Sequence, residues 1–165
     1  MNLIVAVDEN WGIGYRGDLL ARVSEDLKHF RRVTKGKVVI YGSNTLATFP
    51  GGKVLPGRVN IVLHPSPEYQ PEGAIVAHSI EEVLDAASEY DTEDVFVIGG
   101  ASVYRQLLPY CDKAHVTKFL KAFPHDVSIP DLDASPEWEV EWEQFPWMVP
   151  DADFGVKFML YRRVR

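Results

Sequence analysis

The chain has 165 residues, 46% of them apolar, and a formal net charge of −7, which suits one globular domain over residues 1–165 and argues against a nucleic-acid-binding surface. Its single cysteine, Cys111, excludes a disulfide framework and a cluster of thiolate metal ligands. No apolar run reaches the roughly 18 residues of a membrane span, and the N-terminus lacks the basic start of a signal peptide, so a cytoplasmic location is expected.

The first third of the chain predicts two buried strands separated by a loop and a helix. Residues 2–7 and 37–42 are short apolar runs rich in β-branched residues, a pattern typical of strands buried on both faces. Between them, a glycine-spaced loop over 8–18 precedes an amphipathic helix within 19–32, for which Ser24 is the candidate N-cap.

The rest of the chain continues this alternation and then changes character. Strands are predicted at 58–63, 74–78, 94–100 and 113–119. Helices are predicted at 43–49, with Ser43 or Asn44 as the cap, at 79–90, with a capping box of Ser79 and Glu82, and at 101–111. Residues 138–145 and 156–164 predict an antiparallel pair, with Trp138 and Trp142 on one buried face. Strands that alternate with helices indicate an α/β fold with a mostly parallel sheet, to which the last strands add antiparallel edges.

The first helix carries a carboxylate on its apolar face. Val23, Leu27 and Phe30 recur at helical spacing and predict a buried stripe, and Asp26 falls within it. Acids are favoured in the first turn of any helix, so this position also has a purely structural explanation. A carboxylate that faces an apolar cleft needs a charge-assisted partner, which a ligand with paired N–H donors would supply.

Two predicted strands end in glycine directly before a helix. Gly99 and Gly100 close one strand, and Gly42 closes another just before Asn44 and Thr45. Backbone N–H groups at such points can meet a phosphate at a positive helix terminus, although the glycines serve equally well for tight strand–helix packing. Two such helix starts in one sheet point to a pyrophosphate.

The segment GIGYRG over 12–17 matches the glycine pattern of a dinucleotide-binding turn. Four residues, 8–11, separate it from the preceding strand, whereas that turn requires the glycines immediately. A mobile loop beside the carboxyl end of the first strand is therefore the preferred interpretation.

Arg58 begins a strand after the turn LPG. It is either an exposed cation at a strand start or a bidentate clamp on a carboxylate. The five histidines show no paired ligand spacing, so no metal site is expected.

Taken in order, several motifs resemble dihydrofolate reductases. They are LIVAV with GIG, EDLKHF, GSNTL, LPGRVNIVL, VIGGASVYRQLLP and the threonine of HVTKF. Each is weak alone, but their order and spacing match across nearly the whole chain. The resemblance implies a single-domain fold with a mostly parallel eight-stranded sheet, antiparallel C-terminal strands and about four flanking helices. It also implies hydride transfer from NADPH to 7,8-dihydrofolate, which yields 5,6,7,8-tetrahydrofolate, and binding of antifolate inhibitors by a monomer.

The resemblance further implies roles for individual residues. Asp26 would accept hydrogen bonds from the pterin 2-amino group and N3 and favour protonation at N5, and Thr117 would bond to Asp26 and the same amino group. Arg58 would clamp the glutamate α-carboxylate of the substrate. The other substrate-binding residues would be Ile4, Val5, Phe30, Phe49, Leu55, Ile98 and Tyr104. The cofactor-binding residues would be Ala6, Ile13, Gly14, Gly42, Ser43, Asn44, Thr45, Leu63, His64, Gly99, Gly100, Ala101, Ser102, Val103 and Tyr104. The loop over 8–20 would be the lid above the nicotinamide.

The sequence departs from the family pattern at three places, of which one is Ser24, where a proline is usual. Leu20-Ala21 stand where proline-tryptophan is usual, which leaves the space of an indole beside the pterin. Ser43 and Ser102 stand where arginines often bind the adenosine 2′-phosphate, and His64 replaces a hydroxyl residue. Because serines do not neutralise a phosphate, a weaker preference for NADPH and some tolerance of NADH are expected.

Two alternative functions remain open at this stage. One is a reductase of the same fold that acts on a ribosylaminopyrimidine in riboflavin synthesis, and the other is a non-catalytic paralogue that binds folate or nucleotide. The combination of Asp26 with Arg58 favours the reduction of folate, because the ribosylaminopyrimidine reductase would need neither residue.

Overall fold

The computed structural model describes all residues, Met1–Arg165, and has an α/β architecture. Its helices are α1 (Ser24–Thr34), α2 (Ser43–Leu46), α3 (Ile80–Ala87) and α4 (Ala101–Leu107), with short 3-10 turns at Pro50–Gly52, Thr92–Asp94 and Leu108–Tyr110. Its strands are β1 (Asn2–Val7), β2 (Gly12–Tyr15), β3 (Asp18–Leu19), β4 (Val38–Gly42), β5 (Val59–Leu63), β6 (Ala74–Ala77), β7 (Val95–Gly99), β8 (Lys113–Leu120), β9 (Val127–Ser128), β10 (Trp138–Glu143), β11 (Trp147–Met148) and β12 (Gly155–Arg163). None of the four helices is long and apolar enough to cross a membrane.

Most strands belong to one mixed sheet. Its order is β10-β12-β8-β1-β7-β4-β5-β6, and β11 attaches to β12 beside this path. Strands β1, β7, β4, β5 and β6 pair in parallel, whereas β8, β12 and β10 pair antiparallel. This arrangement confirms the predicted mostly parallel sheet with antiparallel C-terminal strands, and its path has the eight strands expected. Of the two C-terminal strands predicted as edges, only β10 lies at an edge of this path, because β12 pairs with β10 and with β8.

The chain divides into two compact units. The first unit comprises Met1–Leu3 and Val33–Tyr110, and the second comprises Ile4–Arg32 and Cys111–Arg165. The core of the first unit is a cluster of Val39, Tyr41, Leu46 and Val62, which come from β4, α2 and β5. These strands are buried on both faces, which explains why their sequences are continuous apolar runs.

The second unit has a core rich in aromatic residues. Its buried members are Val23, Phe119, Val149, Phe154, Val156 and Phe158, from the start of α1 and from β8, β12 and the loop before β12. Burial of such side chains stabilises a fold by about 1.5–3 kcal/mol each. The start of α1 is thereby fixed against the C-terminal strands.

The predicted loop over 8–18 contains structure that the sequence reading did not anticipate. β2 and β3 pair antiparallel, and β2 also pairs with β9, which makes a second, three-stranded sheet. The turn between β2 and β3 has positive φ at Arg16 and Gly17, 51° and 78°. The GIGYRG segment therefore forms a hairpin, which is incompatible with a strand-to-helix dinucleotide turn.

Three local predictions were wrong. Leu27, which the helical spacing placed in the buried stripe of α1, is 39% exposed, although the helix itself begins at Ser24, within one residue of its expected start. α2 is capped by Gly42 without a side-chain hydrogen bond, although Ser43 or Asn44 was the expected cap. Trp142 is 53% exposed, since a register shift between Val140 and Trp142 turns it away from the face that Trp138 occupies.

Candidate active site

Asp26 and Thr117 meet in a hydrogen bond within the second unit. Asp26 lies in the first turn of α1, and Thr117, 2% exposed, lies in β8. The Thr117 hydroxyl donates to Asp26 Oδ1 over 2.6 Å. Because a hydroxyl that donates to a carboxylate forms a short charge-assisted bond, this contact fixes the orientation of the carboxylate.

The surroundings of Asp26 raise its pKa above the ordinary value of 3.8. Burial is the larger cause, since it disfavours the ionised form, and the hydrogen bond from Thr117 acts in the opposite direction. A partly buried carboxyl group whose pKa is raised by desolvation is a functional-site candidate, because such perturbed groups cluster at active sites.

Other predicted residues of the second unit lie on the same elements. Ile4 and Val5 are buried in β1, and Phe30 is half-buried one turn after Asp26 on α1. In β2, Gly14 is buried and Ile13 is half-buried.

His29 lies beside the carboxylate on α1 and was not predicted as a site residue. Its ring stacks on Phe158 with centroids 4.0 Å apart and an angle of 14° between the planes. Burial, together with the charges of the nearby His115 and Arg32, lowers the pKa of His29 to about 4. The imidazole is therefore neutral at physiological pH and stacks on Phe158 without a charge.

Ala21, which stands where the family usually has tryptophan, lies beside the aromatic core of the second unit. Ala21 packs against that cluster together with Ala6 and Trp147. The Trp147 ring meets Phe158 edge to face, with centroids 5.2 Å apart. An indole is thus present in this core, but it comes from β11 and not from the segment before α1.

A carboxylate from the loop between β11 and β12 holds the start of α1. Asp151 Oδ2 accepts a hydrogen bond from the Ser24 backbone N–H over 2.9 Å. Hydrogen bonds from Ser24 lower the pKa of Asp151, so its ionised form is favoured. The bond satisfies one of the free N–H groups at the helix terminus, two residues before Asp26.

The loop that precedes α1 is tied down at several points. Asp8, 1% exposed, accepts hydrogen bonds from the backbone N–H of Gly12 (2.8 Å) and of Phe123 (2.9 Å). Asp126 Oδ2 accepts another from the Arg16 N–H over 3.0 Å. A side chain at Gly12 would collide with the His125 ring at 2.5 Å, so only glycine fits there.

Three predicted cofactor-binding glycines of the first unit, Gly42, Gly99 and Gly100, lie at the ends of neighbouring strands and are called the cofactor cradle below. Gly99 and Gly100 end β7 and cap α4, and a Cβ on either would lie 3.5 Å from Thr45 Oγ1. Gly99 has φ of 142°, a conformation that side chains rarely adopt. Gly42 ends the neighbouring parallel strand β4, and a Cβ on it would lie 3.3 Å from Val103 Cγ2. The structure therefore brings these three glycines together at the starts of α2 and α4, as the sequence pattern predicted.

The residues next to the cradle differ in exposure. Ser43 and Ala101 are half-buried at the starts of α2 and α4, whereas Asn44 and Ser102 are exposed. The Ser102 hydroxyl accepts a hydrogen bond from Gln106 Nε2 over 2.9 Å.

His64 follows the half-buried Leu63 at the end of β5 and has a fixed ring. The ring stacks on Tyr69 with centroids 4.2 Å apart, and Nδ1 accepts a hydrogen bond from the Ser66 N–H over 3.0 Å. The proton of the neutral ring is therefore on Nε2.

Arg58 has an ordered guanidinium in the first unit. Its Nε donates to Thr34 Oγ1 over 2.9 Å, and its Nη1 donates to the Pro56 carbonyl over 3.0 Å. Thr34 is fully buried, so it provides a rigid anchor. These bonds favour the interpretation of Arg58 as a held clamp over that of an unrestrained surface cation.

The remaining predicted residues of the first unit surround Tyr41. The Phe49 ring meets it edge to face at 5.1 Å, and Leu55 and Ile98 pack against the same cluster. Tyr104 is buried on α4 near Gly99.

Four residues that lie around the predicted site residues were not predicted from the sequence: His29, Thr34, Asn60 and Asp151. A signal existed only for Asn60, a polar residue within the apolar strand VNIVL.

Comparisons with known proteins agree on one family. A family profile described as dihydrofolate reductase matches residues 1–163. The dihydrofolate reductase of Bacillus subtilis (strain 168) is 32% identical over 99% of this chain and 94% of its own length. That of Drosophila melanogaster is 33% identical over 95% and 93%. A solved structure of dihydrofolate reductase from Enterococcus faecalis, complexed with NADP(H) and RAB-propyl, has a TM-score of 0.87 and 34% identity over 99% of this chain and 96% of that one.

Proposed function

Since the chain belongs to the dihydrofolate reductase family, we propose that Asp26 and Thr117 form its pterin-binding pair. The protein reduces 7,8-dihydrofolate to 5,6,7,8-tetrahydrofolate with NADPH, and it binds antifolate inhibitors. The observation that carries the proposal is the 2.6 Å hydrogen bond from Thr117 to a desolvated carboxylate.

Asp26 binds the pterin through its carboxylate oxygens in this proposal. It accepts hydrogen bonds from the 2-amino group and N3, each worth roughly 1.5–3 kcal/mol as charge-assisted bonds. The negative charge favours protonation at N5, which prepares C6 for hydride. Thr117 holds Oδ1 in place and adds a bond to the same amino group. Ile4, Val5 and Phe30 supply apolar walls on the elements that carry this pair.

The first unit provides groups that fit a dinucleotide. Side chains at Gly42, Gly99 or Gly100 would fill the cradle, and the caps of α2 and α4 leave backbone N–H groups without side-chain partners. NADPH, when bound, supplies the hydride. The groups proposed for its phosphates and riboses are Gly42, Ser43, Asn44, Thr45, Leu63, His64, Gly99, Gly100, Ala101, Ser102 and Val103. The resemblance assigns its nicotinamide to Ala6, Ile13, Ile98 and Tyr104, and it adds Gly14 to the cofactor-binding residues.

Arg58 clamps the α-carboxylate of the substrate's glutamate in this proposal. Its bonds to Thr34 and Pro56 hold the planar guanidinium in place, which suits bidentate binding of a carboxylate. Phe49, Leu55, Ile98 and Tyr104 would contact the rest of the substrate.

The cofactor preference is a separate proposal. Ser43 and Ser102 offer hydroxyl groups but no positive charge to a 2′-phosphate, and the His64 ring, whose Nδ1 already accepts the Ser66 N–H, has only Nε2 left to offer. We infer a weaker preference for NADPH over NADH than arginines at these positions would give, because charge neutralisation is missing.

We also propose that residues 1–165 act as one domain and that the protein is a cytoplasmic monomer. The net charge of −7 supports action on small molecules and not on nucleic acid or a membrane surface.

A double-mutant cycle with Asp26→Asn and Thr117→Val tests the proposed pair. If Thr117 acts through Asp26, the double variant loses no more activity in dihydrofolate-dependent NADPH oxidation than Asp26→Asn alone. Additive losses would show that the two residues act separately. A wild-type protein that binds dihydrofolate without oxidising NADPH would indicate the non-catalytic paralogue, and reduction of a ribosylaminopyrimidine would indicate the riboflavin-pathway enzyme.

A further inference from the structure

Asn60 is a polar side chain enclosed by the parallel sheet of the first unit. It lies in β5 opposite Val39 of β4 and Ala74 of β6, and it is 2% exposed. Burial of an amide without hydrogen bonds would cost several kcal/mol, so this residue must be fully bonded to be tolerated.

The Asn60 amide pairs with both backbone groups of Leu55. The Leu55 N–H donates to Asn60 Oδ1 over 3.0 Å, and Asn60 Nδ2 donates to the Leu55 carbonyl over 2.9 Å. This two-bond pattern is the one that a neighbouring strand would provide. One side chain therefore holds the backbone at Leu55 in place.

The remaining hydrogen-bonding capacity of Asn60 is also used. Its Nδ2 donates to the Arg58 carbonyl over 3.1 Å, and the Tyr41 hydroxyl donates to its Oδ1 over 2.7 Å. Burial raises the pKa of Tyr41, so its hydroxyl keeps the proton that it donates. With two donors and two acceptor bonds satisfied, the amide has a single orientation.

These bonds fix both ends of a tight turn. Leu55 and Arg58 flank Pro56-Gly57, and Gly57 has a φ of 72°. The Gly57 carbonyl accepts a hydrogen bond from the Gly36 N–H over 2.9 Å. The separation and direction of the two flanking residues therefore depend on one buried side chain.

We propose that Asn60 is a positioning residue for the glutamate-bearing tail of dihydrofolate. It holds Leu55 and Arg58 at a fixed separation before the substrate arrives, which increases affinity for the tail and leaves hydride transfer unchanged. This inference rests on the proposed roles of Leu55 and Arg58.

Asn60→Asp tests the proposal with little change in shape. The carboxylate keeps both acceptor positions but cannot donate to the carbonyls of Leu55 and Arg58. The measurement is kcat and KM for dihydrofolate and for dihydropteroate, which lacks the glutamate. The expected result is a tenfold or greater rise in KM for dihydrofolate, at most a threefold rise for dihydropteroate, and a kcat within twofold of wild type. Tyr41→Phe, which removes only the hydroxyl bond to Oδ1, is the matched control and should leave the ratio of the two KM values unchanged.

Equal effects on both substrates, or none on either, would overturn the role of Asn60. Arg58→Gln separates this failure from a failure of the proposed function. If Arg58→Gln raises KM for dihydrofolate selectively while Asn60→Asp does not, only the inference about Asn60 is wrong. If Arg58→Gln has no selective effect, the proposed clamp itself is wrong.

A measurement on the wild-type protein covers the case in which Asn60→Asp does not fold. If Asn60 positions Leu55 before the substrate binds, the Leu55 amide is protected from hydrogen exchange in the ligand-free protein. We expect its protection factor to be similar to those of the amides in β5. Exchange as fast as in an unstructured loop, or protection that appears only after p-aminobenzoylglutamate is added, would overturn the proposal.

Discussion

Thr117 and Asp26 lie 91 residues apart in the chain, and the Thr117 hydroxyl donates to Asp26 Oδ1 over 2.6 Å. The bond joins the first turn of α1 to β8, so the helix that carries the carboxylate is fixed by the sheet. Burial raises the pKa of Asp26 while Thr117 opposes the rise. The protonation of Asp26 therefore depends chiefly on its burial and, in the opposite direction, on this hydroxyl.

Thr117→Val should shift the pH dependence of the reaction. The variant keeps the shape of the side chain but removes the donor, so the pKa of Asp26 rises further and the limb of the pH–rate profile that belongs to it moves to higher pH. Activity at neutral pH should fall about tenfold, the effect of one lost hydrogen bond. Steady-state rates across a pH series check this. An unshifted profile would mean that Thr117 does not act on the carboxylate.

His29 should titrate at about pH 4, well below the ordinary value of 6.5. Its protonation is disfavoured in the folded state, so the stability linked to this group is complete above pH 6.5 and is lost as pH falls towards 4. The chemical shift of its Cε1 proton, assigned with a His29→Gln variant, measures the pKa directly. A midpoint near 6.5 would show that the stacked ring on Phe158 is not buried in solution.

Asp151→Ala should weaken the start of α1. The variant leaves the Ser24 N–H without its carboxylate, and the disturbance reaches Asp26 two residues later. We expect a lower Tm and a rise of a few-fold in KM for dihydrofolate, since capping bonds are worth modest energies. Asp153→Ala is the matched control, because Asp153 lies in the same loop but pairs with Lys121. If Asp153→Ala lowered Tm and raised KM as much as Asp151→Ala, Asp151 would have no specific role in holding the start of α1.

The serines beside the cofactor cradle should limit discrimination against NADH. We expect the ratio of kcat/KM for NADPH to that for NADH to be well below a thousandfold, and Ser43→Arg to raise it about tenfold or more through a charge-assisted contact with the 2′-phosphate. A wild-type preference of a thousandfold would contradict this proposal. Asn44→Arg, at an exposed neighbouring position, tests whether any added cation has the same effect.

The parallel strands and the glycines that end them were predictable from local sequence. A strand that is buried on both faces has a continuous apolar sequence, and Gly99 has a backbone conformation that other residues avoid. Both features can therefore be recognised from a few consecutive residues. The same holds for the α3 cap, where Ser79 accepts a hydrogen bond from the Glu82 N–H.

The support of the site was not predictable because it depends on residues far apart in the chain. No local pattern connects Asp151 to Ser24, or Thr34 to Arg58. Trp142 was placed in the core by spacing alone, and a register shift in β10 reversed its direction. Nor does any local pattern indicate that Ala21 and Trp147, 126 positions apart, both pack against the aromatic core of the second unit.

Asp26→Asn should fold and be more stable than the wild type at neutral pH. A raised pKa means that the folded state binds the proton more tightly than the unfolded state does, so the ionised carboxylate lowers stability as pH rises through that pKa. The variant removes this penalty and still accepts the Thr117 hydroxyl. We expect Tm to rise by roughly 2–4 °C at pH 7, as about 1 kcal/mol would give, and the difference to vanish in acid.

Hydride transfer in Asp26→Asn tests the central claim most directly. In single-turnover oxidation of NADPH by saturating dihydrofolate at neutral pH, the rate should fall about a hundredfold or more, as expected when a group that controls proton placement is lost. Binding of NADPH should stay within twofold, because the cofactor cradle is built from other residues. A rate within a few-fold of the wild type, in a variant shown to be folded, would contradict the assignment of Asp26 as the pterin-binding carboxylate.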